Sequence, residues 1–147
     1  MARWILSLVL SMSLCSGLAQ PVADAGNGEF ELMIRIKAGV DARGIQPEIN
    51  LAITIAGGIY KEYGYDTTIT SLKDGKHGEH SLHQRGGICR AVDLRTKHVQ
   101  RMDLPMIVST IKDALGAQYD VKLEQAGLPN EHLHLEFDPK PQPTTEI

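Results

Sequence analysis

The spacing of apolar and polar positions changes several times along the chain, and each change predicts an element. Phe30 to Lys37 (FELMIRIK) alternates apolar and charged residues and reads as a first strand or short amphipathic element. Gln46-Pro47-Glu48 puts a proline and an acid into a first helical turn, and the apolar positions from Ile49 to Tyr63 continue the helix, with Gly57-Gly58 weakening its middle. Tyr65 to Ser71 (YDTTITS) is Thr-rich and strand-like, Asp74 to Gly87 is a Gly/His-rich loop, and Ala91 to Arg95 (AVDLR) is a short strand. A second helix spans Leu104-Pro105 to Gly116, with Asp103 placed as its cap and Gly116 as its stop. Tyr119 to Glu124 (YDVKLE) and His132 to Phe137 (HLHLEF) are two more strands, joined by a turn around Gly127-Leu128-Pro129-Asn130. No segment repeats. The order predicts one α+β domain, a mostly antiparallel sheet with two covering helices.

The two ends follow other rules. MARWILSLVLSMSLCSGLAQ has Arg3, an apolar run from Trp4 to Leu14, and small residues ending in Gly17-Leu18-Ala19. That is the pattern of a secretory signal peptide over residues 1–19, with an apolar run too short to span a bilayer. Cys15 raises lipidation as a competing reading, although Leu14 directly before it fits that cleavage poorly. Residues 20–29 are small and polar, a flexible lead; 30–139 form the domain; 140–147 are a Pro-rich, extended tail.

Composition adds exclusions. Cleavage after Ala19 leaves 128 residues with 14 Lys+Arg against 18 Asp+Glu, a formal charge of −4 that lacks the basic footprint of a nucleic-acid binder. The only tryptophan, Trp4, and one of the two cysteines, Cys15, leave with the signal. Cys89 then remains alone, so the exported chain forms no internal disulfide and lacks a Trp-rich polysaccharide-binding surface. The expectation is a periplasmic or extracellular monomer with no membrane span after cleavage.

Two stretches carry chemistry. In AVDLR the alternation sets Val92 and Leu94 on one face and Ala91, Asp93 and Arg95 on the other. A carboxylate in mid-strand needs a partner, because an unpaired buried charge is very costly. Arg95, a surface position or a metal can supply one. In Asn130-Glu131-His132-Leu133-His134-Leu135-Glu136, the residues His132, His134 and Glu136 share a face. Alone, that HxH also fits the solvated face of an edge strand. Taken with His83 in SLHQRGG, it assembles two histidines and a carboxylate, the make-up of a catalytic zinc site whose fourth position stays open to water.

Together, Ser81-x-His83-x-x-Gly86, Ala91-x-Asp93 and Glu131-x-x-His134 resemble the zinc D-Ala-D-Ala carboxypeptidase/dipeptidase family. That family also holds phage L-Ala-D-Glu endolysins and shares its fold with the hedgehog signalling domain. The resemblance covers residues 32–139 and includes Thr70-Ser71, Asp74-Gly75-Lys76-His77 and Val121-x-Leu123-Glu124. It implies a hedgehog-like fold and a Zn²⁺ held by His83, Asp93 and His134. Glu131 is implied as the general base that takes the attacking water's proton and passes it to the leaving amine. Because Glu131 and His134 differ by three, this role requires Glu131 to lean over the metal from the turn after Pro129-Asn130.

His132 is left as a substrate contact, a support for a ligand or a rival ligand, and Ser81 as a substrate contact or a brace for the loop of His83. Where the family has an oxyanion-neutralising arginine, this chain offers Lys73 or Lys76. The sequence also departs from the pattern by three extra residues between His83 and Asp93, expected as an insertion within Gly87-Ile88-Cys89-Arg90 that brings Cys89 near the site. The implied activity is hydrolysis of a bacterial cell-wall peptide at D-Ala-D-Ala. An L-Ala-D-Glu-type endopeptidase and a non-catalytic, zinc-stabilised peptidoglycan-binding module are the alternatives.

Overall fold

The protein is described here by a computed structural model covering residues 32–75 and 81–141. The signal segment, the flexible lead, most of the Pro-rich tail, and Lys76, His77 and His80 lie outside the described residues. The domain is α+β, with a mixed five-stranded sheet and two helices. In chain order the elements are β1 (Ile34–Ile36), α1 (Pro47–Glu62), β2 (Thr67–Ser71), β3 (Ala91–Arg95), α2 (Leu104–Leu115), β4 (Tyr119–Glu124) and β5 (His132–Phe137). The sheet order is β1-β2-β3-β5-β4. Among the described strands only the β1–β2 pairing is parallel, with α1 as the crossover that a parallel connection requires.

Alternation along the strands sorts the sheet into two faces. Val92 and Leu94 of β3, Leu133 and Leu135 of β5 and Val121 of β4 are buried with Ile49, Ile53, Tyr60, Ile107 and Ile111 of the helices. That apolar layer leaves Asp93, His132, His134 and Glu136 on the opposite face. The expected Gly57 weakness has a packing reason. A Cβ at Gly57 would stand 3.1 Å from Leu32 Cδ1 and 3.5 Å from Ile34, so glycine lets α1 approach β1.

Two local expectations are corrected. Among the described residues of the alternating run, 32–37, the pairing strand β1 is confined to Ile34–Ile36. Asp103 occupies the position before α2 but caps nothing with its side chain, because its carboxylate accepts a 2.5 Å hydrogen bond from the Tyr65 hydroxyl. Among the described residues no helix is long and apolar enough to cross a membrane.

Candidate metal centre

Strand register builds two thirds of the site. Asp93 lies at the centre of β3, directly across from His134 of β5, and Arg95 faces His132 two pairs further along. On its other side β3 meets β2 through an irregular register between Ile69 and Ser71, and Thr70 donates from Oγ1 to the Asp93 carbonyl at 3.1 Å. Such irregularities bend a strand and re-aim side chains next to functional sites.

His83 arrives from the loop between β2 and β3, which is tied down at several points. The His83 N–H donates to Ser81 Oγ at 3.3 Å, and the Arg90 N–H donates to the Leu82 carbonyl at 2.8 Å. Gln84 Nε2 donates to the Lys73 and Gly75 carbonyls, and Lys73 Nζ donates to the Gly87 carbonyl at 2.9 Å. Between His83 and Asp93 the chain makes a 3₁₀ turn at Arg85–Gly87. Gly86 and Gly87 both adopt positive φ there, at 67° and 77°, where a side chain would be strained. Cys89 is then fully buried, its thiol beside His83 and donating to the Ala91 carbonyl at 3.2 Å.

The result is one carboxylate oxygen ringed by imidazoles. Asp93 Oδ1 stands 2.8 Å from His134 Nδ1, 3.3 Å from His83 Nε2 and 3.6 Å from His132 Nε2. One donor atom each from His83, Asp93 and His134 lies within 4.8 Å of the others, so this trio could hold a metal ion. Each of the two histidines has its far nitrogen held by an acceptor. His83 Nδ1–H donates to the Leu72 carbonyl, and His134 Nε2–H donates to Glu136 Oε2 at 3.1 Å. Acceptors of this kind fix tautomer and ring orientation in histidine metal ligands. Glu124, His132 and His134 form a second, overlapping donor group.

Charge explains how the cluster sits in a half-dry place. Burial pushes His83 down, but the Asp93 carboxylate, the Cys89 thiol and the Leu72 carbonyl outweigh it and leave the imidazole at about 10. His134 is likewise raised, with burial opposed by Asp93 and Glu136. Burial pushes Asp93 up, yet hydrogen bonds from His134 and His83 hold it well below the ordinary carboxylate range. Protons on the histidines thus stand in for a cation around Asp93, and a bound metal must displace them. Arg95 plays no part in neutralising Asp93 among the described contacts.

The trio opens on a cavity of about 350 Å³, also lined by Ser81, Leu82, Glu124, His132 and Glu136. Lys73 does not line it. Neither does Glu131, which the sequence pattern suggested as base. It stands just before β5, outside the strand, and its carboxylate is drawn to Arg101, Thr96 and Gly127 rather than over the trio. The side chain is 1 % exposed, accepts from the Gly127 N–H at 2.7 Å and from Thr96 Oγ1 at 2.9 Å, and pairs with Arg101 at 2.5 Å. The Gly127 amide and then Arg101 hold it at about 2.

Sequence reasoning had no route to the Leu72 carbonyl, which carries no side-chain signal. Glu124 becomes visible only once β4 is registered against β5, which sets it across from His132. No protein-family model matches the chain, and no curated protein matches it.

Proposed function

We propose that the protein is a zinc-dependent peptidase acting on peptides of the bacterial cell wall, with the hedgehog-like fold that its motifs imply. The observation that carries this reading is the convergence of His83 Nε2, Asp93 Oδ1 and His134 Nδ1 beside an open cavity. Two imidazoles and a carboxylate suit zinc, and both imidazoles already have the acceptors that such ligands need. Zinc bound there would polarise a scissile carbonyl and bring the pKa of a bound water to about 7.

Two residues compete for the role of proton acceptor. The resemblance gives it to Glu131, whose carboxylate is committed to Arg101, Thr96 and Gly127. Geometry favours His132, which donates from Nδ1 to the Asn130 carbonyl at 2.8 Å and turns Nε2 toward Asp93. Glu124 Oε2, 3.3 Å from that Nε2, can stabilise the imidazolium once the proton has moved. Ser81 holds the backbone of His83, and Glu136 orients His134.

The test measures metal content and product release together. Purified protein should hold about one zinc, and it should release amino acid or peptide from peptidoglycan or from a synthetic peptide ending in D-Ala-D-Ala. His132→Gln should then lose activity by about 10²–10⁴-fold with zinc retained. The same loss in Glu131→Gln alone, with His132→Gln near normal, returns the base to Glu131. Wild-type protein that binds zinc and peptidoglycan but cleaves nothing makes the chain a binding module and ends the peptidase reading.

A further inference from the structure

A second cavity, of about 460 Å³, lies beside the metal centre and shares Asp93 and His132 with it. Three cations line it from three parts of the chain: Lys37 just after β1, Arg95 at the end of β3 and Lys97 in the following turn. Among the described residues, none of their side chains makes a hydrogen bond or an ion pair. Other cations of this acidic chain do find carboxylate partners, among them Arg35 with Asp66, Arg43 with Asp41, and Lys122 with Asp120 and Glu136. The two carboxylates in the cavity wall do not neutralise it either. Asp93 is ringed by histidines and Glu131 is paired with Arg101. What remains is a pocket with three uncompensated positive charges and polar groups from Thr70 and Asn130, sharing Asp93 and His132 with the metal centre.

We propose that this cavity binds a carboxylate of the peptide substrate, next to the bond presented to His83, Asp93 and His134. The inference rests on the peptidase reading and adds the substrate class to it. Arg95 is two residues beyond Asp93 on the same face of β3, roughly 7 Å along the strand. An extended peptide advances about 3.4 Å per residue, so the bound carboxylate belongs within about two residues of the scissile bond. The guanidinium of Arg95 can grip a carboxylate with two parallel hydrogen bonds, and Lys37 and Lys97 add point charges. Such a carboxylate is either the free C-terminus or the side chain of an acidic residue.

Two matched peptide pairs distinguish the sources. One pair ends in D-Ala-D-Ala as the free acid or the C-terminal amide; the other contains L-Ala-D-Glu or L-Ala-D-Gln. Zinc-loaded full-length protein is tested for binding by calorimetry and for cleavage by amine release. The free acid, or the D-Glu peptide, should bind about 10-fold or more tightly than its neutral twin. Arg95→Ala should erase most of that preference and raise KM with little change in kcat, while Arg95→Lys restores part of it. The Lys37→Ala/Lys97→Ala double variant should weaken binding of the same acid. All three residues are exposed, so an unchanged melting temperature confirms that the fold survives.

A preference in the first pair assigns the pocket to a C-terminal carboxylate, and one in the second pair to an acidic side chain. Cleavage that ignores both charge changes and Arg95→Ala overturns the pocket and leaves the peptidase standing. Charge-selective, Arg95-dependent binding without cleavage keeps the pocket and removes the peptidase. Absence of binding to all four peptides overturns the pocket.

Discussion

Asp93, at the centre of β3, and Glu131, just before β5, are two carboxylates withdrawn from water that keep different company. Asp93 meets three imidazoles, whose protons can leave. Glu131 meets a guanidinium, a hydroxyl and a backbone N–H, none of which releases a proton near neutral pH. Both are satisfied, as buried charges must be. Only the first arrangement can exchange its protons for a metal. The second is a clamp that ties the turn before β5 to the segments after β3. A depressed carboxylate pKa, present in both, does not tell a reaction centre from a brace; the identity of the donors does.

The largest expected effect is on the Asp93 side. Asp93→Asn keeps the shape but removes the charge that holds His83 and His134 together, so metal affinity should fall by more than the 10–100-fold typical of losing an outer partner. Isothermal titration with zinc reads this directly. Unchanged affinity would mean that the ion sits on Glu124, His132 and His134 instead, the other donor group of the site.

Next comes Glu131→Ala, which should cost about 2–3 kcal/mol by stranding Arg101, Thr96 and Gly127, a fall of roughly 10 °C in Tm. Its zinc content should equal that of wild type. Loss of metal on this substitution would merge the two regions that the comparison separates.

Acid and base should divide the two regions as well. Glu131 is lowered from its ordinary value to about 2, so its contribution is present above the unfolded value and is lost as pH falls toward 2. Wild type should therefore lose more stability than Glu131→Ala between about pH 4.5 and 2. His83 is raised to about 10, so in metal-free protein its contribution is full below about 6.5 and disappears as pH rises through 10. With zinc present the trend reverses, because binding must expel that proton and so strengthens as pH rises. Denaturant titrations at several pH values, with and without chelator, separate these slopes.

Much of this was legible in the sequence. AVDLR, YDVKLE and HLHLEF are strands over the stretches that their alternation marked, and the trio His83, Asp93 and His134 is brought together by a register that pairs Asp93 with His134. Other features depended on long-range partners. Nothing near Asp103 shows that the Tyr65 hydroxyl, 38 residues earlier, takes its carboxylate away from α2. Among the described residues of the first alternating run, only Ile34–Ile36 finds a ladder on β2. Glu131 does lie outside the strand, just before β5, as its spacing from His134 required, but the Arg101 and Thr96 that take its carboxylate are 30 and 35 residues away and left no local signal.

Glu136 supplies a finer test of the metal side. It holds His134 Nε2 at 3.1 Å and also contacts Lys122 at 3.4 Å. Glu136→Gln keeps an acceptor but loses the charge that raises the basicity of His134, so zinc affinity should weaken by about 10-fold. An unchanged affinity would leave Glu136 as only the partner of Lys122.

The smallest expected effect belongs to Arg101. Its guanidinium covers the Glu131 carboxylate, yet its own side chain is 66 % exposed, so solvent and salt screen the pair. Arg101→Ala leaves Glu131 with the Thr96 hydroxyl and the Gly127 amide, which lead a carboxylate to tolerate burial without a cation. The cost should be about 0.5–1 kcal/mol, smaller in high salt and partly recovered by Arg101→Lys, which keeps the charge without the planar fork. Urea unfolding at two salt concentrations resolves it. Zinc content and turnover per zinc should not move, since Arg101 touches no member of the trio. A change in turnover with stability nearly intact would instead show that Glu131, freed from its clamp, reaches the reacting centre, and the division between brace and reaction site would fail there.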